Sequence, residues 1–235
     1  MTKDFLNYCV VSPVKDFSNI FDQWLNNVFD FRPPPSEVII ASEKSPKKHR
    51  ENFTFLELEE PYIPKKLQGV QERHYRIGFA REELRRYVID NTSYNLIYLL
   101  DSDVIAPSYS PLILSGLLSL FKSSMVSNMF KHSDGYPPIT LGCVMIERSL
   151  LELSLFYPHG RFSEDSVFYT SLLNLGKFGY KFKILYGQIF PVKHYRNNKW
   201  EESVDKFELK ELIIGDYKHE RSYNISWRRS LEIKT

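Results

Sequence analysis

Three short segments in the first hundred residues are apolar almost without interruption. They run from Asn7 to Ser12, from Val38 to Ala41 and from Leu96 to Leu100. Strands that are buried on both faces lose the apolar–polar alternation of half-exposed strands, so segments of this kind are typical of a parallel sheet. Between them, Phe17 to Phe31 and Gly78 to Asp90 carry apolar residues at helical spacing. The alternation predicts an α/β fold in which helices cover both faces of a mainly parallel sheet.

The second half of the chain mixes its elements more freely. Ser110 is expected to cap a helix that continues to about Lys122, with Pro111 in its first turn. The other predicted elements are a helix from Ser163 to Leu175 and strands in Phe53–Leu58, Thr140–Ile146 and Lys181–His194. We expect one domain over residues 1–235, with a Rossmann-like half at 1–105 and a smaller mixed half at 106–235.

Composition excludes several classes of protein. The net charge of +2 among 235 residues lacks the basic excess of a nucleic-acid binder. No window supplies the roughly 20 apolar residues of a membrane span, and the N-terminus lacks the pattern of a signal peptide. The two cysteines lie in apolar segments, which favours buried thiols over a disulfide. A cytoplasmic protein is therefore expected.

Two basic segments leave peripheral contact with an anionic membrane open. They are KSPKKHR, from Lys44 to Arg50, and the tail with Trp227, Arg228 and Arg229. A few basic side chains contribute about 1 kcal/mol each at such a surface. We interpret both as solvated segments.

Two carboxylates follow the third apolar segment directly. Asp101 and Asp103 flank Ser102 where a strand should reach its carboxyl end, and ligands of open α/β sheets bind at that edge. Carboxylate oxygens are the ligands that Mg²⁺ or Mn²⁺ prefers. The alternative is that Asp103 caps the following helix, although Ser110 and Pro111 already supply that start. An Asp-x-Asp triplet in this context favours a metal site.

Further candidate residues lie in the second half. Glu164 and Asp165 fall in the first turn of a predicted helix, where acids also stabilise the helix dipole. Asp165 shares a face with apolar residues and is the better candidate for a general base, while Glu164 is the poorer one. His194 alternates with apolar residues and should point inward. A histidine in such a position is either a hydrogen-bonded core residue or a metal ligand.

In their order along the chain, these segments resemble those of nucleotide-sugar-dependent glycosyltransferases of the GT-A fold, and most of all the family-two group. The resemblance spans about Tyr8 to Arg196, and its segments are NYCVVS, EVIIASE, GFAREEL, YLLDSDV, LGCVMIERSLLE, FSEDSVFYTSLLNLGKFGYKF and VKHY. It implies a transferase that moves a sugar from a UDP- or GDP-linked donor to a hydroxyl of a glycan, lipid or protein, with Mn²⁺ or Mg²⁺ as cofactor and with inversion at the anomeric carbon.

The resemblance also implies a role for individual residues. Asp103 and His194 would bind the metal, and Asp101 would contact it through water or hold the ribose. Asp165 would deprotonate the acceptor hydroxyl. The donor-binding residues would be Ser12, Pro13, Glu43, Arg81, Asp101 and Ser102.

The chain departs from the family's pattern at two positions. Glu82 stands where the family often has Asn, and Glu43 stands where Asp is usual. Both departures leave the identity of the nucleotide open, and the longer Glu43 side chain could weaken the binding of the ribose.

Two other functions compete with this one. A haloacid-dehalogenase-like phosphohydrolase also has Asp-x-Asp after an apolar strand, although normally after the first strand, whereas a hundred residues precede Asp101 here. A non-catalytic protein that binds a sugar nucleotide or a glycan on the same fold is the second alternative, because a fold does not determine an activity.

Overall fold

The computed structural model describes residues 6–15, 17–46, 51–129, 139–157, 162–203, 207–215 and 220–221. Its twelve strands are β1 (Tyr8–Pro13), β2 (Glu37–Ser42), β3 (Phe53–Glu57), β4 (Leu96–Leu100), β5 (Val104–Ile105), β6 (Met125–Asn128), β7 (Cys143–Glu147), β8 (Phe182–Gly187), β9 (Lys193–Arg196), β10 (Lys199–Glu202), β11 (Lys210–Ile214) and β12 (Glu220–Arg221). Its five helices are α1 (Asn19–Phe29), α2 (Val70–Asn91), α3 (Ser110–Phe121), α4 (Arg148–Leu153) and α5 (Glu164–Lys177).

One large sheet runs through both halves of the chain, in the order β12-β11-β8-β6-β7-β4-β1-β2-β3. The strands β3, β2, β1 and β4 run parallel to one another. The sheet then becomes mixed, because β7 is antiparallel to both β4 and β6, and β11 is antiparallel to β8. The predicted fold class, a parallel Rossmann-like half joined to a smaller mixed half, is confirmed.

Helices cover the sheet on both faces, as the unbroken apolar strands predict. On one face, Trp24 of α1 and Leu114 of α3 pack against Val10 and Tyr98. On the other face, the apolar side chains of α2, α4 and α5 pack against a second set of strand residues, which includes Cys9, Val11, Ile97 and Leu99. Neighbouring residues of β1 and β4 thus enter opposite cores. Cys9 and Cys143 are buried free thiols, as predicted.

Three predicted boundaries are wrong. Helix α2 begins at Val70 instead of Gly78, and its first turns carry an ion pair between Glu72 and Arg76 at i,i+4 spacing. Strand β7 begins at Cys143 instead of Thr140, because the peptide of Leu141 is bound by side chains of the site described below. Helix α3 includes Ser110, so Tyr109 is the cap residue.

Several elements were not predicted: β5, β6, α4, β10, β11 and β12. Strands β10, β9 and β5 form a separate three-stranded sheet. Within the described residues, no helix is long and apolar enough to cross a membrane. Most of the basic segment at Lys44–Arg50 and the tail with Trp227 lie outside the described residues.

Candidate active site

The candidate residues lie around the carboxyl ends of β1 and β4. Strand β4 ends at Leu100, and a turn follows in which the Val104 N–H donates to the Asp101 carbonyl at 3.0 Å. The Ser102 hydroxyl donates to the carbonyl of Pro13, at the end of β1, over 3.3 Å. The turn is thereby held against the neighbouring parallel strand, at the edge where open α/β sheets bind ligands.

The small sheet brings Asp103 and His194 together from 91 residues apart. Val104 of β5 lies opposite His194 of β9, and the Tyr195 N–H donates to the Asp103 carbonyl at 2.8 Å. His194 Nε2 lies 3.3 Å from Asp103 Oδ2, and the two side chains are 16% and 36% exposed. The sequence prediction that this histidine turns inward is consistent with that burial.

The separation of these two atoms fits a shared metal ion. Neighbouring ligands of an octahedral ion with bonds of 2.0–2.1 Å lie about 3 Å apart, and both oxygen and imidazole nitrogen bind divalent first-row metals. Within the described residues, however, there is no group of three or more His, Cys, Asp or Glu side chains that could hold a metal ion. A metal here would have two protein ligands and would need its other ligands from water or from a substrate.

Asp101 is bound by an arginine from α2. Arg81 Nη2 donates to Asp101 Oδ1 at 2.6 Å, and the Arg81 side chain is only 3% exposed. Burial by itself lowers the pKa of Arg81, but the carboxylates of Asp101, Glu164 and Asp165 raise it above its ordinary value, so the guanidinium stays charged. Arg81 therefore supplies a buried positive charge close to these three acids. The expected contact between Arg81 and the donor nucleotide stays a prediction.

A backbone segment connects Arg81 to the start of α5. Arg81 Nη1 donates to the Leu141 carbonyl at 3.4 Å, and the Leu141 N–H donates to Asp165 Oδ1 at 3.0 Å. Burial first, and then the negative charges of Glu164 and Asp101, raise the pKa of Asp165 to about 7, against the opposing effects of Arg81 and of the Leu141 N–H. A carboxylate whose pKa lies near neutrality can accept a proton during a reaction.

Helix α5 begins at Glu164, and the Ser163 hydroxyl accepts a hydrogen bond from the Ser166 N–H at 3.3 Å. Because Ser163 caps the helix, neither acid of the first turn is needed for that purpose.

The structure separates the donor-binding candidates into two places. Ser12 and Pro13 end β1, and Ser12 is fully buried. Glu43 follows β2, and its Oε1 lies 2.6 Å from Nη1 of Arg76, a residue that also contacts Glu60 and Glu72. Glu43 thus forms an ion pair with Arg76, whereas Ser102 and Pro13 contact each other at the end of β1.

Sequence reasoning missed two parts of this arrangement. The Leu141 peptide links Arg81 to Asp165, but a backbone contact leaves no signal in residue type. Arg196 lies two residues after His194 on β9. The alternation of a strand that ends in Asn197-Asn198 could have indicated that Arg196 shares the face of His194.

No protein-family model and no curated protein sequence matches the chain. Solved structures do match it. The mannosyltransferase PcManGT from Pyrobaculum calidifontis, in complex with GDP-Man and Mn²⁺, is 16% identical with a TM-score of 0.51, over 74% of this chain and 53% of that chain. TarS from S. aureus is 13% identical with a TM-score of 0.49, over 72% of this chain and 34% of that chain.

These similarities concern the fold. The chain has the fold of GT-A glycosyltransferases. It covers 53% of the mannosyltransferase chain, about half of its length.

Proposed function

We propose that this protein is a glycosyltransferase that moves a sugar from a UDP- or GDP-linked donor to a hydroxyl group of a glycan, lipid or protein acceptor. The contact between Asp103 and His194 is the observation that carries the proposal. A carboxylate and an imidazole, side chains that commonly bind divalent metals, meet at the ligand-binding edge of a GT-A sheet. The carboxyl of Asp165, whose pKa is raised, lies in the same site. The mannosyltransferase with this fold binds GDP-Man and Mn²⁺.

Asp103 and His194 would hold a divalent cation, Mn²⁺ or Mg²⁺. When bound, such an ion offsets the negative charge that collects on a departing nucleoside diphosphate. Ser12, Pro13 and Ser102 would line the donor pocket at the end of β1, and Glu43 would reach the ribose from the end of β2. Arg81 holds Asp101 in place through their 2.6 Å contact. Burial raises the pKa of Asp101, and the charge of Arg81 opposes that rise.

Asp165 would act on the acceptor. As the acceptor oxygen bonds to the anomeric carbon and the bond to the diphosphate breaks, the acceptor's proton moves to the Asp165 carboxylate, and the nucleoside diphosphate leaves with the bonding electrons. A base on the acceptor side is what an inverting transfer requires. Glu164 is the weaker candidate for this role and would act on Asp165 through its charge, which contributes to the raised pKa.

The phosphohydrolase is disfavoured by the environment of Asp101. That reaction would need Asp101 as a nucleophile, but Arg81 holds its Oδ1 at 2.6 Å. No observation in the described residues favours a purely binding protein. Hydrolysis of an aryl phosphate would favour the phosphohydrolase. Tight binding of nucleoside diphosphate without any sugar release would favour the binding protein.

A screen of UDP, GDP and their sugars, with Mn²⁺, with Mg²⁺ and with EDTA, tests the proposal. A ligand present at a hundred times its Kd stabilises the folded state by about 2.7 kcal/mol, and at roughly 2–4 °C per kcal/mol the melting temperature rises by about 5–10 °C. We expect such a rise for one nucleotide series and only with metal, together with release of nucleotide from its sugar. A melting temperature that no donor changes under any condition would contradict the proposal.

A further inference from the structure

The hairpin that carries His194 presents an arginine on the same face. Strands β9 and β10 pair with His194 opposite Glu201 and Arg196 opposite Lys199. The turn residues Asn197 and Asn198 both have positive φ, 51° and 61°, as a tight two-residue hairpin requires. Because alternate residues of a strand share a face, Arg196 lies on the face of His194, about 7 Å further along the strand.

The opposite face fixes the orientation of the hairpin. Tyr195 and Trp200 pack edge to face with ring centroids 5.2 Å apart. Trp200 Nε1 donates to Gln23 Oε1 of α1 at 2.9 Å. On the other face of the hairpin, His194 contacts Asp103, and Arg196 shares that face by strand alternation.

Arg196 differs from the other partly or fully buried basic residues. Within the described part of the chain, each of the other Lys and Arg side chains that is not exposed has a carboxylate partner; these are Arg76, Arg81, Arg85, Arg148, Lys183 and Lys210. Arg196 is partly buried and has none in that part. A guanidinium removed from water without a counter-charge is costly, so this one is suited to an anion that arrives from outside.

The cross-strand partner makes the position of Arg196 more unusual. It faces Lys199, and like charges directly opposite one another destabilise a strand pair. Lys199 is compensated, because it is exposed and its Nζ lies 3.4 Å from Glu201 Oε1. Arg196 forms no ion pair with the acids of the hairpin, since Glu201 is paired with Lys199. A local conflict of this kind is expected at functional positions.

The site contains more carboxylates than positively charged side chains. Three acids, Asp101, Glu164 and Asp165, lie near one buried guanidinium, Arg81, which is already bound to Asp101. A fourth acid, Asp103, lies near Asp101. An incoming diphosphate would meet excess negative charge on this side. A metal would offset part of it, and an unpaired arginine beside the metal ligands would offset more.

We propose that Arg196 is a donor-binding residue that holds the diphosphate group of the nucleotide sugar. This inference rests on the proposed function. The planar guanidinium can donate two parallel hydrogen bonds to phosphate oxygens, which a lysine at the same position cannot do. By gripping the leaving group, Arg196 would support both donor binding and cleavage of the sugar–phosphate bond.

Calorimetric titration with UDP and GDP in the presence of Mn²⁺ tests this role. We expect Arg196→Ala and Arg196→Gln to weaken binding of the preferred diphosphate about 10- to 100-fold, as for removal of a charge-assisted pair. Arg196→Lys should recover part of the loss, and UMP or GMP should lose less affinity than the diphosphate. Lys199→Ala, which removes the same charge from the opposite residue, is the matched control and should bind like the wild type.

The outcomes separate this inference from the proposed function. If the wild type binds a diphosphate and both Arg196→Ala and Arg196→Gln bind it within twofold, the role of Arg196 is rejected and the proposed function stands. An equal loss in Lys199→Ala would also reject it, because a general effect of charge would then suffice. If the wild type binds neither UDP nor GDP, the proposed function fails and this inference fails with it.

Discussion

At the scale of single residues, Asp165 is the proposed general base. Its carboxyl accepts the Leu141 N–H at 3.0 Å and lies among the charges of Glu164, Asp101 and Arg81. We predict that Asp165→Asn lowers kcat by about 10²–10⁴-fold, the usual contribution of a general base, while the Kd for nucleoside diphosphate stays unchanged. Steady-state kinetics and calorimetry on the same preparation check both parts. Wild-type turnover in this variant would exclude Asp165 as the base.

The pKa of Asp165 gives a second prediction. A base works in its deprotonated form, and the pKa of Asp165 is raised to about 7. We therefore expect kcat/KM to rise with pH through about 7, with a tenfold loss for each pH unit below it. A profile that stays flat between about pH 5.5 and 8 would contradict the assignment of this pKa to the catalytic base.

The raised pKa also affects stability. A folded-state pKa of about 7 against an unfolded value near 3.8 means that the folded chain binds the additional proton between these pH values. The contribution of this carboxyl to stability is thus present below pH 4 and is lost as the pH rises to 7. Asp165→Asn should raise the melting temperature at pH 8 relative to the wild type and have a smaller effect at pH 5. Scanning calorimetry at the two pH values checks the sign.

The metal site stays a prediction, but the resemblance predicts that two of its residues meet. Asp103 and His194 were predicted as partners, and the structure places Nε2 and Oδ2 at 3.3 Å. The role of Arg81 as a buried counter-charge of Asp101 could not be predicted, because the sequence does not say which side chains of α2 reach the end of β4. The contacts of the Leu141 backbone could not be predicted either, because backbone contacts do not depend on residue type.

At the scale of elements, α2 connects the two halves through adjacent residues. Arg81 holds Asp101, and Glu82 Oε2 accepts the N–H of Phe156 at 3.2 Å. Phe156 in turn stacks on Phe168 of α5 with ring centroids 4.9 Å apart. Burial raises the pKa of Glu82, but Arg85, the Phe156 N–H and Arg86 lower it overall, so it stays ionised. Glu82 therefore positions the helix that presents Asp165.

We predict that Glu82→Gln lowers kcat more than it weakens donor binding, because Glu82 contacts neither Asp103 nor His194. It should also reduce the free energy of unfolding by about 1–3 kcal/mol through its lost charged hydrogen bonds. Chemical denaturation and kinetics measure the two effects. The matched control is Glu83→Gln, the adjacent residue with a single 3.3 Å contact to Arg86. Equal behaviour of the two variants would exclude a positioning role for Glu82.

The elements that the sequence predicts are those with a clear apolar pattern, either an unbroken apolar run or apolar residues at helical spacing. The apolar segments of β1, β2 and β4 can only lie inside a sheet with two covered faces, and they do. The strands that were missed, such as β5 with two residues and β10 with four, are short. Pairing with β9 decides their structure, and such tertiary contacts override local preference.

At the scale of the whole molecule, one sheet spans both halves of the chain. Strand β4 of the first half pairs with β7 of the second along five residue pairs. We therefore predict that residues 1–105 and 106–235 unfold as one cooperative unit. Thermal unfolding should show one transition, at the same temperature by far-UV circular dichroism and by tryptophan fluorescence. Two separated transitions would show that the halves are independent domains.

The proposed activity depends on a divalent ion that binds where two distant segments of the chain meet. The direct measurement is the anomalous scattering of manganese in a crystal soaked with MnCl₂ and UDP or GDP. We predict a single strong peak within bonding distance of both Asp103 Oδ2 and His194 Nε2, with the diphosphate beside it. A peak elsewhere in the molecule, or nucleotide bound at this edge of the sheet without manganese, would contradict the account.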